Sequence, residues 1–136
     1  VGDYQNANLY YLDLDSPTDN GDYITRERTA PYASTQAQWG FLTEARLLGE
    51  TGIGAASGQG ADPQVMLSIS RDSGHTFDPP LNASMGVQGD FNAQPTWYQL
   101  GRARMDRLVM RMRHTEPVKS IWTGLDLLIA EGTGQL

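Results

Sequence analysis

The sequence predicts an all-β protein, an antiparallel β-sandwich of about seven strands with one Asp-box-like hairpin. Apolar side chains alternate with polar ones in several short segments, most clearly in "DRLVMRMRH" at 106–114. Stretches rich in Gly, Pro, Asp and Asn separate these segments, as turns do. No segment has a convincing helical pattern. Antiparallel sheets that each bury one face cover each other in a sandwich.

The composition fits one folded domain. The chain has 136 residues, of which 39% are hydrophobic and 19% are charged, as in globular proteins. It contains no Cys, which excludes a disulfide framework, a thiolate zinc site and a cysteine nucleophile. The net charge of −6 argues against nonspecific binding of nucleic acid by the whole domain. No apolar run approaches the length of a membrane span, so we expect no membrane partner.

The N-terminal region is predicted to form a hairpin. "NLYYLDLD" (8–15) and "YITRERTA" (23–30) are strand-like, and "DSPTDNGD" (15–22) between them is dense in turn-forming residues. Pro31 then ends or bends the second strand. The single domain, 1–136, is expected to have three parts: an N-terminal hairpin at 1–32, a sandwich at 33–130 and a flexible tail at 131–136.

The segment "WGFLTEARLLGE" (39–50) fits either a strand or a helix. Its Leu, Glu, Ala and Arg residues favour a helix. Gly40 and Gly49 bracket a run of strand length, so we predict a strand. One face of that strand would carry Phe41, Thr43, Ala45 and Leu47.

The remaining strands follow the same alternation. We predict them at 63–70, 94–100, 106–114 and 118–130, with a candidate bulge at Gly124. The stretch 78–92 is interpreted as an irregular loop. Every second residue of such a strand is expected to face inward. The predicted core residues on this basis are Leu67, Ile69, Leu108, Met110, Met112 and Trp122.

The stretch "SISRDSGHTF" (68–77) has the pattern of an Asp-box, the hairpin signature repeated in sialidases. Asp72 can accept hydrogen bonds from turn amides, Gly74 can adopt a positive φ, and Phe77 can fold under the hairpin. A sialidase would need several boxes, an arginine triad and a Tyr–Glu nucleophile pair. The single box therefore predicts a structural hairpin motif, formed by Ser70, Asp72, Gly74, Thr76 and Phe77.

No catalytic, metal or cofactor site is predicted. The acidic stretch 13–22 departs from calcium-loop spacing because Pro17 occupies a ligand position. The two histidines, His75 and His114, stand far apart in the sequence. We therefore expect a protein that is not an enzyme and that carries no cofactor.

Arginines are concentrated between residues 102 and 113. Arg107, Arg111 and Arg113 are predicted to share one face of a strand, called the arginine face below. Such a face is either solvated, with carboxylates on neighbouring strands, or a contact surface for another protein. Because arginine binds carboxylates bidentately, this face is the candidate protein interface, and its binding should weaken as salt rises.

Four stretches in this order resemble one family: "LYYLDLDSPTDNGDYITRERTAP", "DPQVMLSISRDSGHTF", "ASMGVQGD" and "WYQLGRARMDRLVMRMRHTEPVK". Together they resemble the packaged-DNA stabilisation proteins of short-tailed bacteriophages, which are tail accessory or tail hub proteins. The family pattern has Asp-Gly and Trp in the box where this chain has Ser73-Gly74 and Phe77. These differences bear on the choice of partner more than on the fold.

The resemblance implies a non-enzymatic virion component of a phage tail, an adaptor or hub that extends the portal and helps retain packaged DNA. Its partners would be the portal-linked adaptor, the tail needle or plug, and copies of itself, with packaged DNA contacted in the tail channel alone. It would reside in the virion, and in the host cytoplasm before assembly. Family members are longer, so the chain would be a C-terminal piece or a shortened relative, and 8–30 resembles the end of a preceding β-propeller-like part.

A non-catalytic carbohydrate-binding β-sandwich module is the alternative. Trp39, Trp97 and Trp122 could form a sugar-stacking platform, although such residues more often belong to the core of a sandwich. A glycan-binding module would expose two or three rings on one surface. A tail domain would bury its tryptophans and expose charged edges.

Overall fold

The computed structural model describes residues 1–32, 34 and 37–131. Regular structure in these residues is β, apart from one 3-10 turn at Met105–Arg107. They contain no helix of a length and hydropathy that would cross a membrane. The strands are β1 (Thr18–Asp19), β2 (Asp22–Tyr23), β3 (Arg26–Pro31), β4 (Trp39–Gly49), β5 (Gln64–Ser70), β6 (Leu81–Ser84), β7 (Thr96–Arg104), β8 (Val109–His114) and β9 (Trp122–Glu131).

Two antiparallel sheets form a β-sandwich, which confirms the predicted fold class. The four-stranded sheet has the order β3-β8-β5-β6, and the three-stranded sheet has the order β7-β4-β9. Strands β1 and β2 form a separate small hairpin. Side chains from both large sheets meet in one hydrophobic cluster. Full burial of a Leu, Ile or Met side chain is worth about 1.5–3 kcal/mol, so this contact between the sheets stabilises the fold.

Strands β5 and β8 contribute the part of the core that alternation predicts. Leu67 pairs with Met112, and Ile69 pairs with Met110, so their side chains lie on the same face of the sheet. Trp122 is partly buried and packs against the same cluster. The other five predicted core residues are buried: Leu67, Ile69, Leu108, Met110 and Met112.

Segment 39–50 forms strand β4 as predicted, but the four residues predicted to share one face of it lie on two faces. The pairing of β4 with β9 shifts between Leu42 and Glu44, so Thr43 is an extra residue in the ladder. A bulge of this kind reverses the side-chain alternation beyond it. Leu42 is therefore buried before the bulge and Ala45 after it, whereas Phe41 is exposed.

The N-terminal hairpin prediction is partly wrong. Residues 15–22 do contain a tight turn, with Asn20 and Gly21 at positive φ of 50° and 93°. The strand after this turn does not pair with 8–15; instead, β3 forms a ladder with β8, from Arg26↔His114 to Pro31↔Val109. Strand β8 offers six consecutive partners for β3 and a charge pair between Glu27 and Arg113. The sandwich thus begins at Arg26 and not after residue 32.

Smaller differences concern the later strands. Strand β6 lies in the stretch predicted as loop and pairs with β5 from Gln64↔Ser84 to Leu67↔Leu81. Strand β9 begins at Trp122, and its register against β4 shifts at Thr123, one residue before the predicted bulge. Of the predicted tail, residues 132–136 lie outside the described residues.

Candidate interaction surface

The box hairpin, residues 70–77, is a closed hydrogen-bond network after β5. The Asp72 carboxylate accepts from the Thr76 backbone amide at 2.9 Å, from the Thr76 hydroxyl at 2.6 Å and from the Ser70 hydroxyl at 2.6 Å. Ser70 Oγ accepts from the Gly74 amide at 2.8 Å. Ser73 and Gly74 adopt positive φ of 64° and 92°, a conformation that Gly tolerates at no steric cost. The hydroxyl of Ser70, and then the groups of Thr76, hold the pKa of Asp72 well below its usual range.

Two arginines attach this hairpin to the rest of the sandwich. The guanidinium of Arg111 on β8 lies 4.0 Å from the ring centroid of Phe77. Arg71 donates to the Arg102 carbonyl at 3.0 Å, to the Leu100 carbonyl, and to the Asp78 carboxylate. The two carbonyls belong to β7, so Arg71 connects the hairpin of one sheet to an edge strand of the other. No side-chain pattern predicts this connection, because two of its acceptors are backbone carbonyls.

The three residues of the arginine face are not brought together as predicted. Arg107 lies in the 3-10 turn and not on strand β8, and its carbonyl accepts from the Ser73 amide at 3.0 Å. Arg113 donates to the Glu27 carboxylate on β3, with nitrogen–oxygen distances of 2.9 and 2.6 Å. Arg111 is stacked on Phe77. The two arginines on β8 are therefore already in contact with groups of their own chain.

The outer side of the three-stranded sheet carries an exposed patch, called the aromatic face: Trp39, Phe41, Tyr98 and Leu128. Phe41 is 47% exposed, Tyr98 66% and Leu128 61%. Glu44 on β4 pairs with Tyr98 on β7 and with Leu128 on β9, so one face of the sheet carries the patch across all three strands. Aromatic residues are enriched in protein interfaces. The sequence pattern did not indicate this patch, because it grouped Phe41 with Ala45 and Leu47 on one face of the strand.

An arginine covers the end of the aromatic face. The guanidinium of Arg102 lies 4.3 Å from the ring centroid of Trp39. Nε and Nη2 of Arg102 are buried and have no hydrogen-bond partner among the described residues. Arg104, beside it on β7, is paired with Asp106 at 3.0 Å. Stacked aromatic and guanidinium groups are frequent at the centres of protein contacts.

The three tryptophans occupy different environments. Trp97 is buried and donates from Nε1 to the Leu81 carbonyl at 2.9 Å. Trp122 is partly buried at the edge of the core, and Trp39 is on the aromatic face. They do not form one platform. Tryptophans of a sandwich core are predicted to be buried, and of these three Trp97 alone is fully buried.

A family model described as "Bacteriophage P22 Gp10, beta-sandwich" matches residues 25–130. The chain belongs to this family. The match begins beside Arg26, where β3 enters the four-stranded sheet, and it includes both large sheets and the box hairpin. The family supports the sequence resemblance to tail accessory proteins of P22-like bacteriophages. A comparison with curated proteins gave no match.

The described part of this beta-sandwich contains no group of side chains that could hold a metal ion. No three ligating side chains of the His, Cys, Asp or Glu type come together there. His75 is exposed in the box turn, and His114 is buried with Nδ1 3.0 Å from the Gln64 carbonyl. Asp13 accepts from the Asp15 amide at 3.0 Å within the acidic stretch. A family of phage structural proteins suggests a non-enzymatic role.

Proposed function

We propose that this beta-sandwich is a structural component of a bacteriophage tail, an adaptor or hub that extends the portal and helps retain packaged DNA. The observation that carries the proposal is the Gp10 family match, which spans residues 25–130 and both large sheets. In this role the protein resides in the virion, after synthesis in the host cytoplasm. Its partners are the portal-linked adaptor, the tail needle or plug and other copies of itself, and DNA is met in the tail channel alone.

The surface of the sandwich supports a role in protein contacts. The aromatic face presents three rings and a leucine on the outer side of the sheet, and burial of such rings in a contact is favourable. The arginine face is the second candidate contact, in which Arg111 and Arg113 would exchange their present partners for carboxylates of a neighbour. We assign the larger share of the contact energy to the aromatic face because its side chains are exposed to solvent.

The test uses a phage whose genome encodes this chain. Purified virions are assayed for the protein by immunoblot, and particles made without it are assayed for retention of DNA by nuclease protection. We expect the protein in virions, and we expect packaged DNA to become nuclease-sensitive when the protein is missing. The proposal is wrong if mature virions lack the protein, or if particles without it hold their DNA as firmly as wild-type particles.

A carbohydrate-binding module remains the second candidate, and one observation favours it. Trp39, Phe41 and Tyr98 are exposed on one surface, as a glycan-stacking platform requires. The test is titration calorimetry with oligosaccharides from host surface glycans. Binding that is lost on Tyr98→Ala, and retained on Phe91→Ala outside the face, would support this candidate over the tail role.

A further inference from the structure

One arginine on the outer side of the three-stranded sheet, Arg102, has no ion pair with any described residue. Arg46 and Arg104 on the same side are each paired with a carboxylate of their own chain, at 2.6 and 3.0 Å. Arg102 stands opposite Phe41 in the β4–β7 ladder, so its side chain lies among those of the aromatic face. This apolar surface therefore contains a positive charge that the described part of the chain leaves uncompensated.

The guanidinium of Arg102 also has hydrogen-bonding groups that the chain does not use. Nε and Nη2 are buried, and neither has an acceptor among the described residues. These two nitrogens form one edge of the planar group, and such an edge matches the two oxygens of a carboxylate. The Trp39 ring, whose centroid lies 4.3 Å from Cζ of Arg102, covers a flat side of the group and leaves the edge unpaired. Since an unpaired buried donor is unfavourable, a carboxylate gains more here than at a solvated arginine.

Large apolar side chains surround this arginine. Trp39 and Phe41 are 39% and 47% exposed, and Tyr98 and Leu128 continue the aromatic face beyond the bulge of β4. A ligand that suits this surface brings apolar side chains for the rings and one carboxylate for Arg102. A polyanion, such as nucleic acid or an acidic polysaccharide, is disfavoured by the net charge of −6. The chemistry therefore fits a protein segment with one acidic residue among apolar ones.

We propose that the aromatic face binds a segment of a protein partner in which an Asp or Glu is flanked by apolar side chains. The carboxylate accepts two hydrogen bonds from Arg102, whose guanidinium turns so that its Nε–Nη2 edge meets both oxygens. The flanking apolar side chains cover Phe41 and Tyr98. Because the rings enclose this ion pair, salt screens it much less than an exposed pair. The contact deepens the proposed tail role, on which it rests, by naming the chemistry of the partner.

The test selects binders to the purified chain from a displayed library of random short peptides. We expect selected peptides to carry Asp or Glu between apolar residues at least about fivefold more often than the unselected library. The tightest binder is then compared by titration calorimetry with a twin in which Asn or Gln replaces the acidic residue. The twin should bind at least about tenfold more weakly, because hydrogen bonds between two charged groups are the stronger ones. This comparison uses the wild-type protein and so does not depend on the folding of a variant.

Substitution of Arg102 assigns the preference to this site. Arg102→Met keeps an apolar side chain beside Trp39 and removes the guanidinium, so the selected peptide should bind at least about tenfold more weakly. The matched control is Arg107→Met, an exposed arginine in the 3-10 turn, which should bind the peptide like the wild type. The urea denaturation midpoint of Arg102→Met should not fall, because the substitution removes a buried group that lacks partners. An arginine that served only to support Trp39 would instead lower the midpoint and leave the acidic preference unchanged.

The proposal is wrong if selection shows no acidic preference, if the neutral twin binds as tightly as the acidic peptide, or if Arg102→Met binds like the wild type. Two further measurements test other occupants. Sedimentation of the protein alone would reveal self-association that Arg102→Met abolishes, and calorimetry with a sialylated oligosaccharide would reveal binding that requires Arg102. Either result without peptide enrichment overturns the proposal in favour of a second copy or a glycan. None of these measurements uses virions, so the peptide contact and the tail role can fail independently.

Discussion

On the outer side of the four-stranded sheet, Arg111 lies over Phe77 and Arg113 pairs with Glu27, whereas the outer side of the three-stranded sheet leaves Phe41 and Tyr98 open to solvent. The first surface is rich in charged groups, but Arg111 and Arg113 already contact groups of their own chain. The second also carries charged residues, such as the Glu44–Arg46 pair, but it leaves large apolar side chains uncovered. Local pairing therefore distinguishes the two surfaces better than their composition does, because a partner gains most where the chain has left groups without contacts.

The largest expected effect comes from removing the rings of the aromatic face. The double substitution Phe41→Ala and Tyr98→Ala should lower incorporation into virions by about tenfold or more, since central interface residues contribute about 2 kcal/mol or more each. The denaturation midpoint should change little because both side chains are exposed. Incorporation is measured by quantitative immunoblot, with Phe91→Ala as the control. If the double variant and the wild type were incorporated equally, the aromatic face would not be the stronger contact surface of the two.

The next effect concerns the support of the four-stranded sheet by the box hairpin. Asp72→Asn removes the carboxylate that accepts hydrogen bonds from Thr76 and Ser70, so the urea denaturation midpoint should fall. The control is Asp90→Asn in an exposed loop, which should leave the midpoint unchanged. Folding lowers the pKa of Asp72. The stability that its carboxylate gives to the folded state is therefore fully present above the pKa of the unfolded state, 3.8, and is lost as pH falls below that value.

The midpoint difference between wild type and Asp72→Asn should therefore stay constant from about pH 7 to pH 5 and shrink below about pH 4. Denaturation curves across this range measure it. A difference that grows on acidification would contradict the assignment of the stabilising form to the carboxylate.

The smallest effect is expected from reversing charge on the arginine face. Arg111→Glu with Arg113→Glu removes one partly exposed ion pair and one arginine–ring contact, each worth about 0–1 kcal/mol. Stability should fall by about 1 kcal/mol, and incorporation should fall less than for the aromatic-face variant. Arg107→Glu, which lies in the 3-10 turn, is the matched control.

Salt dependence sharpens this comparison. A contact made by the arginine face weakens as salt rises, whereas a contact made by the aromatic face does not. Incorporation of the wild-type protein is measured in an assembly reaction at several NaCl concentrations. Strong loss with salt, together with poor incorporation of the double reversal variant, would assign the main contact to the arginine face instead.

Much of the fold was predictable from period-two alternation. Met110 and Met112 alternate with Val109, Arg111 and Arg113 in β8, Leu108 directly precedes that strand, and the structure buries Leu108, Met110 and Met112. The inward face of β4 was not predictable, because the extra residue at Thr43 leaves no mark in the local sequence. Phe41 was thus grouped with Ala45 and Leu47 on one face, and the aromatic face was not predicted. A bulge depends on the register of two neighbouring strands, and a single segment does not contain that information.

Placement of the N-terminal strands failed for a related reason. Both 8–15 and 23–30 have strand composition, and sequence proximity favoured pairing them with each other. Strand β3 instead pairs with the distant strand β8, as the contact between Glu27 and Arg113, 86 residues apart, shows. Which strands pair when they are far apart in the sequence depends on the complete sheet, and one segment does not contain that information. The predicted arginine face was incomplete because Met105–Arg107 forms a turn just before the strand begins.

Arg71 has a mechanical consequence. It follows β5 in one sheet and donates to the carbonyls of Leu100 and Arg102 on β7 of the other, near the irregular part of the β4–β7 ladder. Sliding one sheet along the other would stretch both of these bonds together. Bonds loaded together resist shear better than bonds broken one after another. A single side chain thus connects the two sheets and opposes their sliding along the strands.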